Sequence, residues 1–167
     1  IAKYADCARP SLWVNTPGNP AGGLDDLGAA AAWGRAHQVP VFSDECYAGL
    51  DYGDPAPSLL ADRIAGGDHT GLLIAHSLSK RSNMAGYRFG FLAGDPVLVQ
   101  QVLGVAKHAG MMVPTPVQAA AAVAYRDDAH AQEQAARYAA RRAVLLPALQ
   151  RAGFTIDHSQ AGLYLWA

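Results

Sequence analysis

Short apolar runs alternate with amphipathic segments in the first half of the chain. Four runs have the length and composition of buried strands and are bounded by turn residues: 11–15, 39–43, 71–75 and 88–93. Between the first two runs, the spacing of Leu24, Leu27 and Ala31 predicts an amphipathic helix that reaches His37. Strands that alternate with helices favour a layered α/β fold with a mainly parallel sheet, in which loops at the carboxyl ends of the strands carry the site.

The second half is predicted to be mainly helical. Asp95 has the place of an N-cap and Pro96 that of the first helical residue, so a helix is expected from there to about His108. Two further helical patterns and two closing strands follow, over 114–126, 128–151, 154–157 and 162–166.

This order of elements divides the chain into two expected parts. Residues 1–125 are expected to belong to a large domain, and residues 126–167 to a linking helix and the start of a smaller α+β domain. The sequence lacks an initial Met and ends in a predicted strand, which indicates a piece of a longer protein.

Composition narrows the class of protein. The 167 residues are 51% hydrophobic and 16% charged, with a formal net charge of −1, which argues against disorder. The same balance gives no basic surface for nucleic acid or an anionic membrane, and no apolar run reaches the ~18–20 residues that span a bilayer. Two cysteines, Cys7 and Cys46, are too few for a disulfide scaffold, and the histidines are too scattered for a metal site. We therefore expect a cytoplasmic protein without metal, nucleic-acid or membrane partners.

Two local patterns place polar side chains just after predicted strands. The turn-rich loop 15–23 presents the side-chain amide of Asn19, and the Asp-Glu-Cys-Tyr sequence at 44–47 presents Asp44 and Tyr47. Each pattern taken alone is also compatible with an ordinary turn or helix cap.

A third pattern is harder to explain as scaffold. Ser-Leu-Ser-Lys at 77–80 follows an apolar run, and Gly-Tyr-Arg follows at 86–88. A lysine such as Lys80 is strongly hydrated and is seldom buried without a partner or a reaction. The planar guanidinium of Arg88 is suited to bidentate binding of a phosphate.

In this order and at this spacing, the three patterns resemble those of the class I and II aminotransferases of fold type I, which use pyridoxal 5'-phosphate. The resemblance extends over nearly the whole chain and implies a three-layer sandwich, the large domain of such an enzyme. The family's usual Asn-Pro-Thr-Gly turn appears here as Asn19-Pro20-Ala21-Gly22, so one hydroxyl group is missing.

The resemblance also implies a role for each candidate residue. Lys80 is then the amine that bonds to the cofactor aldehyde and later transfers the substrate proton. Asp44 pairs with the pyridine nitrogen, which makes the ring a stronger electron sink, and Tyr47 and Asn19 hydrogen-bond its phenolic oxygen. The implied phosphate ligands are Ser77, Ser79 and Arg88.

A finer resemblance concerns the substrate. The segments 79–83, 107–118 and 162–166 are similar to those of actinobacterial N-succinyldiaminopimelate aminotransferases. This implies amino transfer between glutamate and N-succinyl-2-amino-6-oxopimelate, on the route to diaminopimelate and lysine. It further implies a homodimer, which the apolar segment 111–113 could serve, and a ring-stacking aromatic and a substrate-carboxylate arginine outside the given chain.

Other functions stay open on sequence grounds. The same scaffold carries out β-elimination, as in C–S lyases, and decarboxylation, and aminotransferase-like domains also serve as cofactor-binding sensors in transcription regulators. A plain nucleotide-binding α/β module is not supported, because no Gly-x-Gly-x-x-Gly loop follows a strand.

Overall fold

The computed structural model describes residues 10–167, so Cys7 lies outside the described residues. These residues form a four-stranded sheet in the order β1-β2-β3-β4, in which the first three strands are parallel and β4 is antiparallel to β3. The strands are β1 (Leu12–Asn15), β2 (Val41–Asp44), β3 (Leu72–Ser77) and β4 (Gly90–Gly94). The predicted α/β fold is confirmed, with an antiparallel fourth strand.

Three strand boundaries differ from the prediction in a way that matters for the site. Strands β2 and β3 extend through Asp44 and Ser77, so both candidate residues belong to the sheet itself. Strand β4 begins at Gly90, because Arg88 has a left-handed backbone (φ 55°) and ends the short 3-10 helix Ala85–Tyr87.

Helix α1 (Leu27–His37) packs against one face of the sheet. It begins at Leu27 rather than Leu24 because the carboxylate of Asp26 accepts the backbone N–H of Ala29 at 2.8 Å and so caps the first turn. Its close approach to β2 depends on Gly34, where a Cβ atom would lie 2.4 Å from a methyl carbon of Val41. The core on this face consists of Leu27, Ala30, Ala31, Val41, Leu59, Ala65, Leu72 and Ile74.

The remaining helices include three long ones in the second half. They are α2 (Asp62–Ala65), α3 (Leu78–Arg81), α4 (Pro96–Ala106), α5 (Thr115–Arg126) and α6 (Ala129–Arg151). The predicted cap of α4 is confirmed, since the Asp95 carboxylate accepts the N–H of Val97 at 2.8 Å. Helix α4 lies over the second face of the sheet, where Val102 lines a cavity of about 170 Å³ with Phe42 and Leu73. The described residues thus form the three layers expected.

The two closing strands are not formed, and this prediction was wrong. The only pairing found within residues 152–167 is an isolated bridge between Asp51 and Ala161. Backbone N–H groups of Gln160 and Ala161 donate to the Gly22 carbonyl, and that of Gly162 donates to Leu50. This segment therefore satisfies its polar backbone against two loops, whereas a strand needs a neighbouring strand along its length.

Within residues 10–167, no helix combines the length and the apolar character needed to cross a bilayer.

Candidate active site

The site is built at the carboxyl ends of β2 and β3. Asp44 is the last residue of β2 and pairs in register with Ala75 of β3. Because side chains alternate along a strand, Ser77 points to the same face of the sheet as Asp44. The Asp44 carboxylate is held at the strand end by the backbone N–H of Cys46, which donates to it at 3.1 Å.

Asn19 and Tyr47 meet beside this edge. The Asn19 amide donates to the Tyr47 hydroxyl oxygen at 3.0 Å, and the Asn19 loop is closed by the Asn19 N–H, which donates to the Asn15 side chain at 2.8 Å. Burial raises the pKa of Tyr47 above its usual value, and a hydrogen bond with Tyr164 raises that pKa further. Tyr47 therefore keeps its phenolic proton at neutral pH and can act as a donor.

Lys80 lies on α3, the short helix that follows β3 directly. Its side chain is partly buried, and its Nζ atom lies 5.9 Å from the centre of the Tyr47 ring. The N-cap of α3 is Ser77, whose Oγ accepts the N–H of Ser79 at 3.0 Å. The serines on either side of Leu78 thus fix the start of the helix that carries the lysine.

A cavity of about 550 Å³ contains the candidate phosphate ligands. Ser77, Ser79 and Arg88 all line it. The Ser77 hydroxyl donates to the Phe89 carbonyl at 3.0 Å, so it would have to rotate to donate to a phosphate. One Arg88 nitrogen donates to the Ala85 carbonyl at 2.8 Å, and the guanidinium carries further N–H groups for a ligand.

Cys46 lies between Asp44 and the cavity that contains the candidate phosphate ligands. It lines the cavity and directly follows Asp44. Burial, followed by a hydrogen bond with Asp44, raises the pKa of Cys46 to about 12. The thiol is therefore protonated at neutral pH, which argues against a role as nucleophile.

Three residues near the site are not among the sequence-predicted candidates. The Tyr164 ring makes an edge contact with Tyr47, with the ring centres 6.3 Å apart. Glu45 and His76 form a close pair behind Asp44 and Ser77. No local signal marks Tyr164, because it reaches the site only through the folding of the closing segment onto the loops. Glu45 and His76 adjoin predicted site residues, but only the strand pairing shows that they meet.

Comparison with known proteins identifies the fold and the family of the chain. The fold is that of fold-type I enzymes: an aminotransferase from Neisseria meningitidis superposes with a TM-score of 0.83 and 31% identity, over 93% of this chain and 41% of that chain. Residues 2–167 match the family model for aminotransferase class I and II. The chain belongs to this family.

Two curated relatives are more similar in sequence. A probable aminotransferase from Mycobacterium tuberculosis is 55% identical over 93% of this chain and 38% of its own length. The 4-dedimethylamino-4-oxo-anhydrotetracycline transaminase OxyQ from Streptomyces rimosus is 51% identical over 93% of this chain and 44% of its own length. The chain thus spans about two fifths of the length of the relatives that it matches.

Members of this family use pyridoxal 5'-phosphate, and the donor set present here fits each part of that molecule. An amine suits the aldehyde, a carboxylate suits a protonated pyridine nitrogen, and neutral hydroxyl and amide donors suit a phenolic oxygen. A cavity with an arginine and two serine hydroxyls suits the phosphate. The residues concerned are Lys80, Asp44, Tyr47, Asn19, Arg88, Ser77 and Ser79.

Proposed function

We propose that this chain is part of a pyridoxal-phosphate-dependent transaminase that moves an amino group between glutamate and an oxo acid. The observation that carries the proposal is the meeting of Asn19, Tyr47 and Lys80 at the strand ends, beside Asp44 and a cavity that contains Arg88. These residues come from four separate segments of the chain, and each is of the type that one part of the cofactor requires.

Each side chain has a task that its surroundings support. Pyridoxal phosphate supplies an electron sink for the charge that develops at the substrate Cα. The Asp44 carboxylate stabilises a proton on the pyridine nitrogen, and it is oriented for this by the Cys46 N–H. Neutral Tyr47 donates its hydroxyl proton toward the phenolic oxygen, and Asn19 holds Tyr47 in place.

Lys80 is assigned to proton transfer. Its Nζ would take the proton from the substrate Cα and deliver it to C4′ of the cofactor, and the short helix capped by Ser77 fixes the backbone that carries this amine. Arg88 neutralises and orients the phosphate, with Ser77 and Ser79 as neutral donors after hydroxyl rotation. Phosphate binding and proton transfer are thus assigned to different side chains.

For the oxo acid, we propose N-succinyl-2-amino-6-oxopimelate, which places the reaction on the route to diaminopimelate and lysine. The support is the similarity of segments 79–83, 107–118 and 162–166 to the enzymes of that reaction. The structure adds that Tyr164, within the last segment, contacts Tyr47, so this segment adjoins the proposed site. The OxyQ relative acts on a tetracycline intermediate, and that substrate is the alternative to include in the test.

We further propose a cytoplasmic homodimer. The support is the exposure of the apolar side chains Met111 and Met112, at 71% and 58%, in a segment next to the cavity. Sedimentation of the longest polypeptide that the gene encodes tests this, and a monomer at micromolar concentration would contradict it.

The cofactor assignment is tested with that same polypeptide and pyridoxal phosphate. The wild-type protein should show the visible absorbance band of a lysine-linked cofactor, which Lys80→Ala should abolish. Lys107→Ala is the matched control, because Lys107 is exposed, and it should keep the band. Survival of the band in Lys80→Ala would refute the assignment.

The reaction is tested by incubating the loaded protein with 2-oxoglutarate and a panel of amino donors that includes N-succinyl-diaminopimelate, and separately with glutamate and 4-dedimethylamino-4-oxo-anhydrotetracycline as the alternative acceptor. Formation of glutamate supports transamination, and the preferred donor identifies the substrate. Release of carbon dioxide or of a thiol would instead indicate a decarboxylase or a C–S lyase. A loaded protein without turnover of any donor would favour a sensor domain.

A further inference from the structure

Glu45 is a buried carboxylate that the proposed mechanism does not use. Only 1% of its side chain is exposed, and its Oε1 accepts the backbone N–H of Leu59 at 2.8 Å. Among the described residues, its Oε2 receives no well-aligned hydrogen bond and lies 3.3 Å from Nε2 of His76, a contact that is an ion pair when the imidazole is protonated. A buried carboxylate is costly unless it is paired, so this contact calls for an explanation.

His76 is fixed from a second side. Its ring stacks on Phe91 with a centre-to-centre distance of 5.4 Å and an angle of 8° between the planes, and 24% of its side chain is exposed. His76 and Phe91 are paired in register across β3 and β4. The imidazole therefore has little freedom to turn away from Glu45.

The pair lies directly behind the proposed cofactor residues. Glu45 follows Asp44 in the chain, and His76 precedes Ser77. Because side chains alternate, Asp44 and Ser77 point to one face and Glu45 and His76 to the other. The Glu45 N–H also donates to the Ala75 carbonyl at 2.9 Å, which makes this the point where the pairing of the two strands ends.

Stability is a weak reason for such a pair. Replacing a buried ion pair with well-packed apolar residues is often neutral or stabilising, because removing two charges from water offsets their attraction. A cross-link between strand ends has another consequence: it fixes the distance between the backbone that carries Asp44 and the backbone that carries Ser77. Those two residues are assigned to two different groups of one cofactor, the pyridine nitrogen and the phosphate.

We propose that Glu45 and His76 are a positioning pair that sets the separation of Asp44 from Ser77 and thereby the affinity for pyridoxal phosphate. This inference rests on the proposed function, because it assumes that Asp44 and Ser77 bind the cofactor. Glu45 does not line the cavity assigned to the phosphate, whereas His76 does. Neither residue is assigned a bond to the cofactor, and both are proposed to act through their chain neighbours.

The test is cofactor affinity in the double variant Glu45→Gln/His76→Phe, measured with the full polypeptide by absorbance titration. Glutamine retains an acceptor for Leu59, and phenylalanine retains the stacking on Phe91, so the change removes mainly the link between the strands. We expect the dissociation constant for pyridoxal phosphate to rise about 10- to 100-fold, the range seen when outer partners of metal ligands are removed. The melting temperature of the cofactor-free protein should change little.

Two further variants make the result specific. The control Glu133→Gln/His37→Phe makes the same substitutions at exposed positions and should leave cofactor affinity unchanged. The single variant His76→Gln keeps a hydrogen-bond donor next to Glu45. Its dissociation constant for pyridoxal phosphate should stay within about threefold of the wild-type value. If the double variant does not fold, His76→Phe alone gives the same measurement.

The outcomes separate the two proposals. Unchanged cofactor affinity in the double variant would overturn the positioning role, and so would a fall in melting temperature with unchanged affinity. A wild-type protein that forms no lysine-linked cofactor band would refute the proposed function and, with it, the basis for this inference.

Discussion

The first and the second half of the chain are stabilised by different kinds of interaction. In the first half, helix α1 and strands β2 and β3 bury a continuous set of apolar side chains, including Leu27, Val41 and Leu72. In the second half, helices α4 and α6 have no buried residue, and helix α5 has one, Ala121. Apolar burial therefore stabilises the first half, and the second half depends more on polar contacts.

Those polar contacts converge on the loop that follows Lys80. Arg81 donates to the Ala124 carbonyl at 2.8 Å and pairs with Asp128. His130 contacts the Ser82 hydroxyl at 2.8 Å, and the Tyr138 hydroxyl donates to Asn83 at 3.0 Å. Residues of the first half therefore stabilise the core, whereas contacts from the second half hold the loop that follows Lys80 in position.

The largest expected effect is in the apolar half. Leu72→Ala should lower the free energy of unfolding by about 2–5 kcal/mol, because it leaves a cavity at a position that is only 1% exposed. Val144→Ala on α6, at a position 73% exposed, is the control and should change it by less than about 0.5 kcal/mol. Urea unfolding measures the free energy of unfolding of both variants. Equal losses would contradict the conclusion that apolar burial stabilises mainly the first half.

Arg81→Gln should detach the second half from the lysine loop. Loss of the charged hydrogen bonds to the carbonyl at the end of α5 and to Asp128 should cost about 1.5–3 kcal/mol of unfolding free energy. Amide hydrogen exchange should also speed up across 78–84, where two N–H groups donate to the Leu78 carbonyl. Unchanged exchange in that segment would show that the loop holds its position without Arg81.

Asp95→Ala acts where the two halves join. The Asp95 carboxylate accepts the Gly71 N–H at the start of β3 and caps α4, so its loss should cost about 1 kcal/mol. The bond from Gly71 is the main reason that the pKa of Asp95 lies below its usual value. A lowered pKa gives stability that is present above the unfolded pKa of about 3.9 and lost as pH falls through the folded pKa.

The pH dependence provides the measurement for Asp95. The difference in unfolding free energy between wild type and Asp95→Ala should be constant above about pH 5 and should shrink below about pH 4. Denaturant unfolding at several pH values measures it. A difference that grows toward low pH would have the wrong sign for this explanation.

The smallest expected effect is on the surface of α6. Glu133 and Arg137 form an i,i+4 pair in which both side chains are more than half exposed. Glu133→Gln should therefore cost only about 0.3–0.5 kcal/mol, and the cost should fall further in high salt. A loss comparable to that of Arg81→Gln would show that α6 is held by its own surface pairs.

Much of the fold follows from local sequence signals. The four strands, helix α1 and the Asp95-Pro96 helix start were predicted to within a few residues, because periodicity and caps act over one or two turns of chain. The candidate site residues also came from short patterns, and their roles stay predictions until the cofactor experiments are done. The closing strands were predicted wrongly, because an apolar alternating run forms a strand only if another strand lies beside it.

By itself, the sequence determined which segments become strands and helices and which residue types stand at the strand ends. Only the tertiary structure decided that Tyr164 contacts Tyr47, that Glu45 meets His76 behind the site, and that residues 160–162 bind two loops. The physical reason is the distance along the chain over which each kind of interaction acts. Backbone preferences and caps depend on neighbours in the chain, whereas these contacts join segments whose proximity exists only after the sheet and helices have packed.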